Sequence, residues 1–142
     1  MHEIISLFSG AGGLDLGFHK AGFRTIWANE YDKSIIPTFR ENFKRAHFDD
    51  RSISDIPVVE IPKALGVIGG PPCQSWSAAG ARRGINDSRG RLFYDYLDII
   101  NHVQPKFFLA ENVSGLINKR NRDSFNHLVK EFENAGYDVH MY

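Results

Sequence analysis

The chain has 142 residues, 42% of them apolar and 24% charged, the balance of one globular domain with a real core. Its 17 basic side chains match 17 acidic ones, which excludes a globally basic nucleic-acid coat but leaves room for local basic patches. A single cysteine excludes an internal disulfide and fits a reducing cytoplasm, and no apolar run approaches a membrane span in length.

Apolar runs and helical stretches alternate along the chain. Residues 4–8 read as a first strand and 13–21 as a helix ended by Gly22. Residues 23–28 form a second strand, and 32–43 a helix with Asp32 as N-cap and Pro37 sitting awkwardly inside it. A short third strand is expected at 46–48 and a fourth at 64–68. A helix over 91–103 sets Leu92, Tyr96, Ile99 and Val103 on one face. Residues 105–110 make a fifth strand, 122–135 a helix closed by Gly136, and 137–142 open a sixth. Repeated β-α alternation predicts an α/β fold: a mostly parallel sheet with helices on both faces, joined by right-handed crossovers. Because Tyr142 falls inside the sixth strand, the chain is expected to be truncated there and to continue in something larger.

Ligands in open α/β sheets bind outside the carboxyl ends of the strands. Four predicted strand ends carry unusual residues. The first is Phe8-Ser-Gly-Ala-Gly-Gly13, whose three glycines let backbone approach a ligand ahead of a helix N-terminus. The dinucleotide fingerprint is incomplete, because Asp15 stands where its third glycine belongs, and this disfavours a pyrophosphate. Taken alone, the run is a tight β-α turn. The second end is Asn29-Glu30-Tyr31. Glu30 lies 18 residues beyond Gly12, close to the spacing of about 20 at which a carboxylate binds ribose hydroxyls. The plain alternative for Glu30 is a surface charge. Paired with the glycine turn, it indicates an adenosine-containing ligand without a pyrophosphate, such as S-adenosylmethionine.

The third end, Gly69-Gly-Pro-Pro-Cys-Gln-Ser-Trp-Ser77, presents the only cysteine on a loop stiffened by two prolines. A thiol so positioned is a candidate nucleophile, against the alternative of inert core filler. The fourth, Ala110-Glu111-Asn112-Val113, places a carboxylate straight after an apolar strand. There it is expected to be partly desolvated and able to hold a proton, or else simply to cap a helix. Residues 75–90 form a long loop rich in Gly, Ala, Ser and Arg, the length usually found in functional loops.

In this order and spacing, Phe-Ser-Gly-Ala-Gly-Gly, Asn-Glu-Tyr, Gly-Gly-Pro-Pro-Cys-Gln-Ser and Glu-Asn-Val resemble the early motifs of cytosine-C5 DNA methyltransferases. The likeness covers essentially all 142 residues and is greatest to bacterial modification methylases of restriction systems, GGCC-type enzymes among them. It implies a Rossmann-like, S-adenosyl-L-methionine-dependent methyltransferase fold, with residues 1–142 as the N-terminal part of the catalytic domain. The implied substrate is a flipped cytosine in double-stranded DNA. By position, Cys73 resembles the nucleophile and Glu111 the residue that grips cytosine N3. Phe8, Gly10, Ala11, Gly12, Gly13 and Leu14 would line the cofactor pocket, with Glu30 on the ribose and Tyr31 against the adenine. Asp50 would sit by the adenine amino group, Pro72 near the methionine end, and Leu92 against the cofactor. Arg51 stands where the family usually has an apolar residue. The loop over 75–90 resembles one that closes over DNA, bringing Ser77, Arg82, Arg83 and Arg89 near phosphates. No metal is implied.

The family's later motifs have no counterpart here: the paired arginines on a later strand, the target-recognition domain and the C-terminal helix. The resemblance therefore implies a C-terminal half or partner subunit, weak or no activity of this chain alone, and a cytoplasmic place beside the nucleoid. Two other readings stay open: a non-catalytic cofactor-binding remnant, and a tRNA cytosine-C5 methyltransferase sharing the same motifs.

Overall fold

Five apolar segments become strands: β1 (His2–Leu7), β2 (Phe23–Asn29), β3 (His47–Asp49), β4 (Gly66–Gly69) and β5 (Phe107–Ala110). The structure, a computed structural model, describes residues 1–72, 88–111 and 122–142, and the side chains of residues 88–91 and 124 lie outside that description. All strand pairs are parallel, in the order β3-β2-β1-β4-β5. Among the described residues, four helices connect or follow them: α1 (Gly13–Lys20), α2 (Ile36–Asn42), α3 (Ser88–Val103) and α4 (Arg122–Asn134).

The helices occupy both faces of the sheet, and β1 shows why. Successive strand residues point to opposite faces. Ile5 and Leu7 of β1 join the main core with Tyr96, Ile99 and Ile100 of α3 and Phe132 of α4. Ser6, between them, points the other way and bonds Asp15 of α1. Burial of each such Ile or Leu contributes about 1.5–3 kcal/mol, so this face holds most of the fold's apolar stabilisation. The opposite face is smaller: Ala28 of β2 packs on Phe39 of α2 and on Phe43 just beyond it. Gly66 has no Cβ because the Phe107 ring of β5 occupies that space.

Three expectations need correction. Residues 137–142 do not form a sixth strand. Tyr137 and Val139 do alternate onto the core, and the Tyr137 hydroxyl donates to the Pro105 carbonyl at 2.7 Å. The period-two pattern is real, but no neighbouring strand among the described residues supplies a ladder. The helix expected over 32–43 starts only at Ile36. Asp32 instead holds a local turn, its Oδ1 accepting from the Ser34 N–H at 2.9 Å, and Pro37 falls in the first turn of α2, where a missing N–H costs nothing. Helix α3 starts at Ser88, one turn earlier than expected, which converts the end of the 75–90 loop into helix. Two 3₁₀ turns, Ile53–Asp55 and Val58–Glu60, carry the chain from β3 to β4 and seat Ile53, Ile56 and Ile61 in the core.

Candidate active site

The chain runs outward from β1 through β2 to β3, then returns to lay β4 against the other side of β1. The carboxyl ends of β1 and β4 are therefore the switch point of the sheet, where such folds open a crevice. A cleft of about 270 Å³ lies there, lined by Ser6 to Gly10, Gly13 and Leu14 on one side and by Gly69, Gly70 and Glu111 on the other. That is slightly below the usual range of small-molecule sites, about 300–1,000 Å³.

The glycine turn owes its shape to backbone that few residues tolerate. Gly10 and Gly12 have φ of 55° and 90°, and Phe8, which has no such licence, is held at φ 51°. A Cβ on Gly12 would run into the Phe43 ring. The Ser9 N–H donates to Asn29 O and the Gly12 N–H to Ser9 O, both at 3.0 Å. The Gly10 N–H donates to Glu30 Oε2 at 2.9 Å, while Glu30 Oε1 accepts from the Tyr31 and Asp32 N–H groups at 2.8 and 2.9 Å. Glu30 thus ties the glycine turn to the end of β2. Ser9 lines the cleft, and its buried hydroxyl oxygen has no hydrogen-bond partner among the described residues.

Beneath the turn lies Asp15, fully buried in the first turn of α1. The Ser6 hydroxyl donates to its Oδ2 at 2.8 Å and the Thr25 hydroxyl to its Oδ1 at 2.7 Å. Burial pushes this carboxyl above the ordinary aspartate range, against the pull of the Thr25 and Ser6 hydroxyls.

Across the cleft, the Glu111 N–H donates to Gly69 O at 3.0 Å, continuing the β4–β5 ladder by one step. The Glu111 carboxylate lies over Gly70, in the space a Cβ there would fill. Gly70 precedes Pro71, which is buried, and Pro72, which is exposed. Glu111 itself is exposed rather than desolvated as its sequence context suggested. The apolar run before it is the cause of the difference: β5 is an edge strand, and Leu109 and Ala110 are themselves exposed.

Of the residues expected at a cofactor site, Phe8, Gly10, Gly13 and Leu14 line the cleft, together with Glu111. Gly12 and Ala11 belong to the same turn without lining it, Gly12 being buried and Ala11 exposed. Tyr31 is exposed beside Glu30. Asp50 is engaged by Lys33 and Arg40 at 3.3 and 3.8 Å. Leu92 packs on the main core rather than in the cleft. Arg51 turns onto its own neighbours, with NH2 at 2.6 Å from Asp49 and from Glu60, while its N–H pins Asp49 Oδ1 at 3.0 Å. The Arg51 guanidinium holds the Asp49 carboxyl below its ordinary range. Cys73, Ser77, Arg82, Arg83 and the Arg89 side chain lie outside the described residues, as do Asn112 and Val113. The sequence reading missed Ser6, Leu7, Ser9, Gly69 and Gly70 as wall residues. A serine interrupting the apolar run Ile4-Ile5-Ser6-Leu7 was the available signal.

The sequence profile of C-5 cytosine-specific DNA methylases matches residues 2–142. The chain belongs to that family. Type II methyltransferase M.FnuDI of Fusobacterium nucleatum is 58% identical over 137 residues, covering 96% of this chain and 40% of that protein. M.NgoPII of Neisseria gonorrhoeae is 56% identical over 138 residues, with the same coverage of each. Among solved structures, a prophage-encoded Escherichia coli protein described as a DNA modification methyltransferase superposes with a TM-score of 0.78 at 32% identity, over 94% of this chain and 38% of that one. The fold is thus the Rossmann-like one of S-adenosyl-L-methionine-dependent methyltransferases. The chain spans about 40% of the length of the curated relatives it matches. Among the described residues, no helix is long and apolar enough to cross a membrane.

Proposed function

We propose that this chain is the catalytic, cofactor-binding part of a DNA cytosine-C5 methyltransferase of a restriction-modification system, working in the cytoplasm on double-stranded DNA. The observation that carries the reading is the seating of Glu111 over Gly70: Glu111, which opens the Glu-Asn-Val motif, and Gly69 and Gly70, which open the Gly-Gly-Pro-Pro-Cys motif, meet at one cleft, opposite the glycine turn.

The cleft fits S-adenosyl-L-methionine in its chemistry. Ser9 offers an unpartnered hydroxyl, the left-handed Gly10 leaves backbone close to the ligand space, and Glu30 keeps lone pairs for ribose hydroxyls beyond its backbone bonds. Phe8, Leu14 and Gly13 supply wall, with Tyr31 and Asp50 further out toward an adenine and Pro72 toward the methionine end. When bound, the cofactor supplies an electrophilic methyl group.

The remaining chemistry is assigned to this chain's side chains. The cytosine leaves the helix, at a cost of a few kcal/mol of stacking and pairing. The Cys73 thiolate adds to C6, and Glu111 holds a proton at N3 so that charge does not build on the ring. The ring becomes an enamine, nucleophilic at C5. After alkylation, loss of the C5 proton expels Cys73 and restores the aromatic ring. Ser77, Arg82, Arg83 and Arg89 are assigned to phosphates, which position the duplex without reading its sequence.

DNA carrying 5-fluorocytosine tests this reading, with the chain supplemented by the C-terminal part of a relative such as M.FnuDI. Fluorine cannot depart as a proton, so a covalent adduct accumulates with the wild-type chain and is absent with Cys73→Ala. An adduct formed equally by Cys73→Ala removes Cys73 from the mechanism, and adducts with tRNA in place of DNA change the substrate.

A further inference from the structure

We propose that Asp15 is a specificity-determining residue of the cofactor site: its buried carboxylate, joined to the cleft wall through Ser6, favours a cationic sulfonium over the neutral thioether left after methyl transfer. This rests on the cleft being the S-adenosyl-L-methionine site.

Three observations support it. Asp15 has no exposed surface, and its two oxygens accept from the hydroxyls of Ser6 and Thr25 and from its own backbone N–H; His19, one turn on, acts on it through space, but among the described residues no salt bridge neutralises it. Ser6, which holds Oδ2 at 2.8 Å, is itself part of the cleft wall. Charge in such low-dielectric surroundings acts over distances at which exposed charges are screened. The third observation concerns α1. Its first turn supplies Gly13 and Leu14 to the cleft wall, and the partial positive charge of that helix end suits an anion and opposes a sulfonium. Asp15 in the first turn cancels that field from below.

The same carboxylate explains a departure seen in the sequence. A dinucleotide site has a glycine at this position and a pyrophosphate on the helix end. Here a buried negative charge replaces the glycine, repelling a pyrophosphate and suiting a cation. Glu30 and Glu111 also stand near the site, but Glu111 is exposed and the charge of Glu30 is partly offset by three backbone N–H groups.

Calorimetric titration of the chain with S-adenosyl-L-methionine and S-adenosyl-L-homocysteine provides the test. The two ligands differ in charge at sulfur and by one methyl group. In Asp15→Asn, affinity for the sulfonium should fall roughly tenfold relative to the thioether. A purely structural Asp15 would weaken both alike, and that result overturns the proposal while leaving the site reading intact. In the wild type, the ratio of the two affinities should hold within about twofold up to about 1 M salt, where the screening length is about 3 Å. A ratio that collapses with salt assigns the preference to exposed carboxylates and also overturns it. This salt series decides the matter alone should Asp15→Asn not fold. If the wild-type chain binds neither ligand, the reading of the cleft fails and the proposal falls with it.

Discussion

Asp15, at the start of α1, and Asp49, at the end of β3, are both buried carboxylates, yet one meets two hydroxyls and the other a guanidinium. The hydroxyls of Ser6 and Thr25 satisfy hydrogen bonds without cancelling charge, so Asp15 keeps its negative potential beneath the cleft. Arg51 cancels the charge of Asp49 and, with Glu60, turns the end of β3 into a closed ionic cluster. Proximity to strand ends is shared; what differs is whether the protein leaves charge available. Under this account the β1 side is built to act on a ligand, while the β3 side is built to hold the chain together.

Removing each carboxylate should separate these roles. Asp15→Leu strands two buried hydroxyls and is expected to cost about 3 kcal/mol in urea unfolding. Asp49→Leu leaves the half-exposed Arg51 still paired with Glu60 and should cost clearly less. An equal loss at both sites would erase the distinction. Next in size is the glycine turn itself. Gly12→Ala places a methyl group against Phe43 at φ 90° and should cost about 2 kcal/mol, whereas Gly13→Ala meets open space and should be near neutral.

Stability against pH sharpens the same contrast, because the two shifts have opposite signs. The folded value of Asp15 is raised by burial. Its contribution is complete below the unfolded value of about 3.9 and is lost as pH climbs through the folded value. Asp49 is lowered, chiefly by its hydrogen bonds to Arg51, so its contribution is present above about 3.9 and is lost as pH falls through the folded value. Urea midpoints from acid to neutral pH should therefore lose their decline on the alkaline side in Asp15→Asn and their acid loss in Asp49→Asn. A small effect is expected for Arg51→Ile, which removes the guanidinium but keeps the main-chain N–H on Asp49. It should lower stability slightly at low salt and leave it unchanged at high salt.

The sheet was legible because strands such as Val67-Ile68 and helices such as the one carrying Tyr96 and Ile99 match their periods of burial. The glycine turn and Glu30 were legible for a different reason: φ angles that only glycine adopts easily and a fixed spacing leave marks in the sequence. The work of Glu30 was not. Its carboxylate binds the Gly10 N–H across 20 positions, a contact that depends on β1 and β2 lying side by side. The 137–142 segment shows the converse, since alternation reports which side chains seek the core but not whether a partner strand exists. Asp15 was noticed only as a missing glycine; that it is buried, and paired with hydroxyls from two strands, follows from packing alone.

Amide chemical-shift mapping of the isotope-labelled chain during titration with S-adenosyl-L-methionine tests the central claim most directly. The account predicts saturable shifts concentrated at Ser9, Gly10, Gly13, Leu14, Gly70 and Glu111, with the Asp49–Glu60 cluster responding weakly. Saturable shifts centred elsewhere, or none at the glycine turn, would contradict the placement of the methyl donor between β1 and β4.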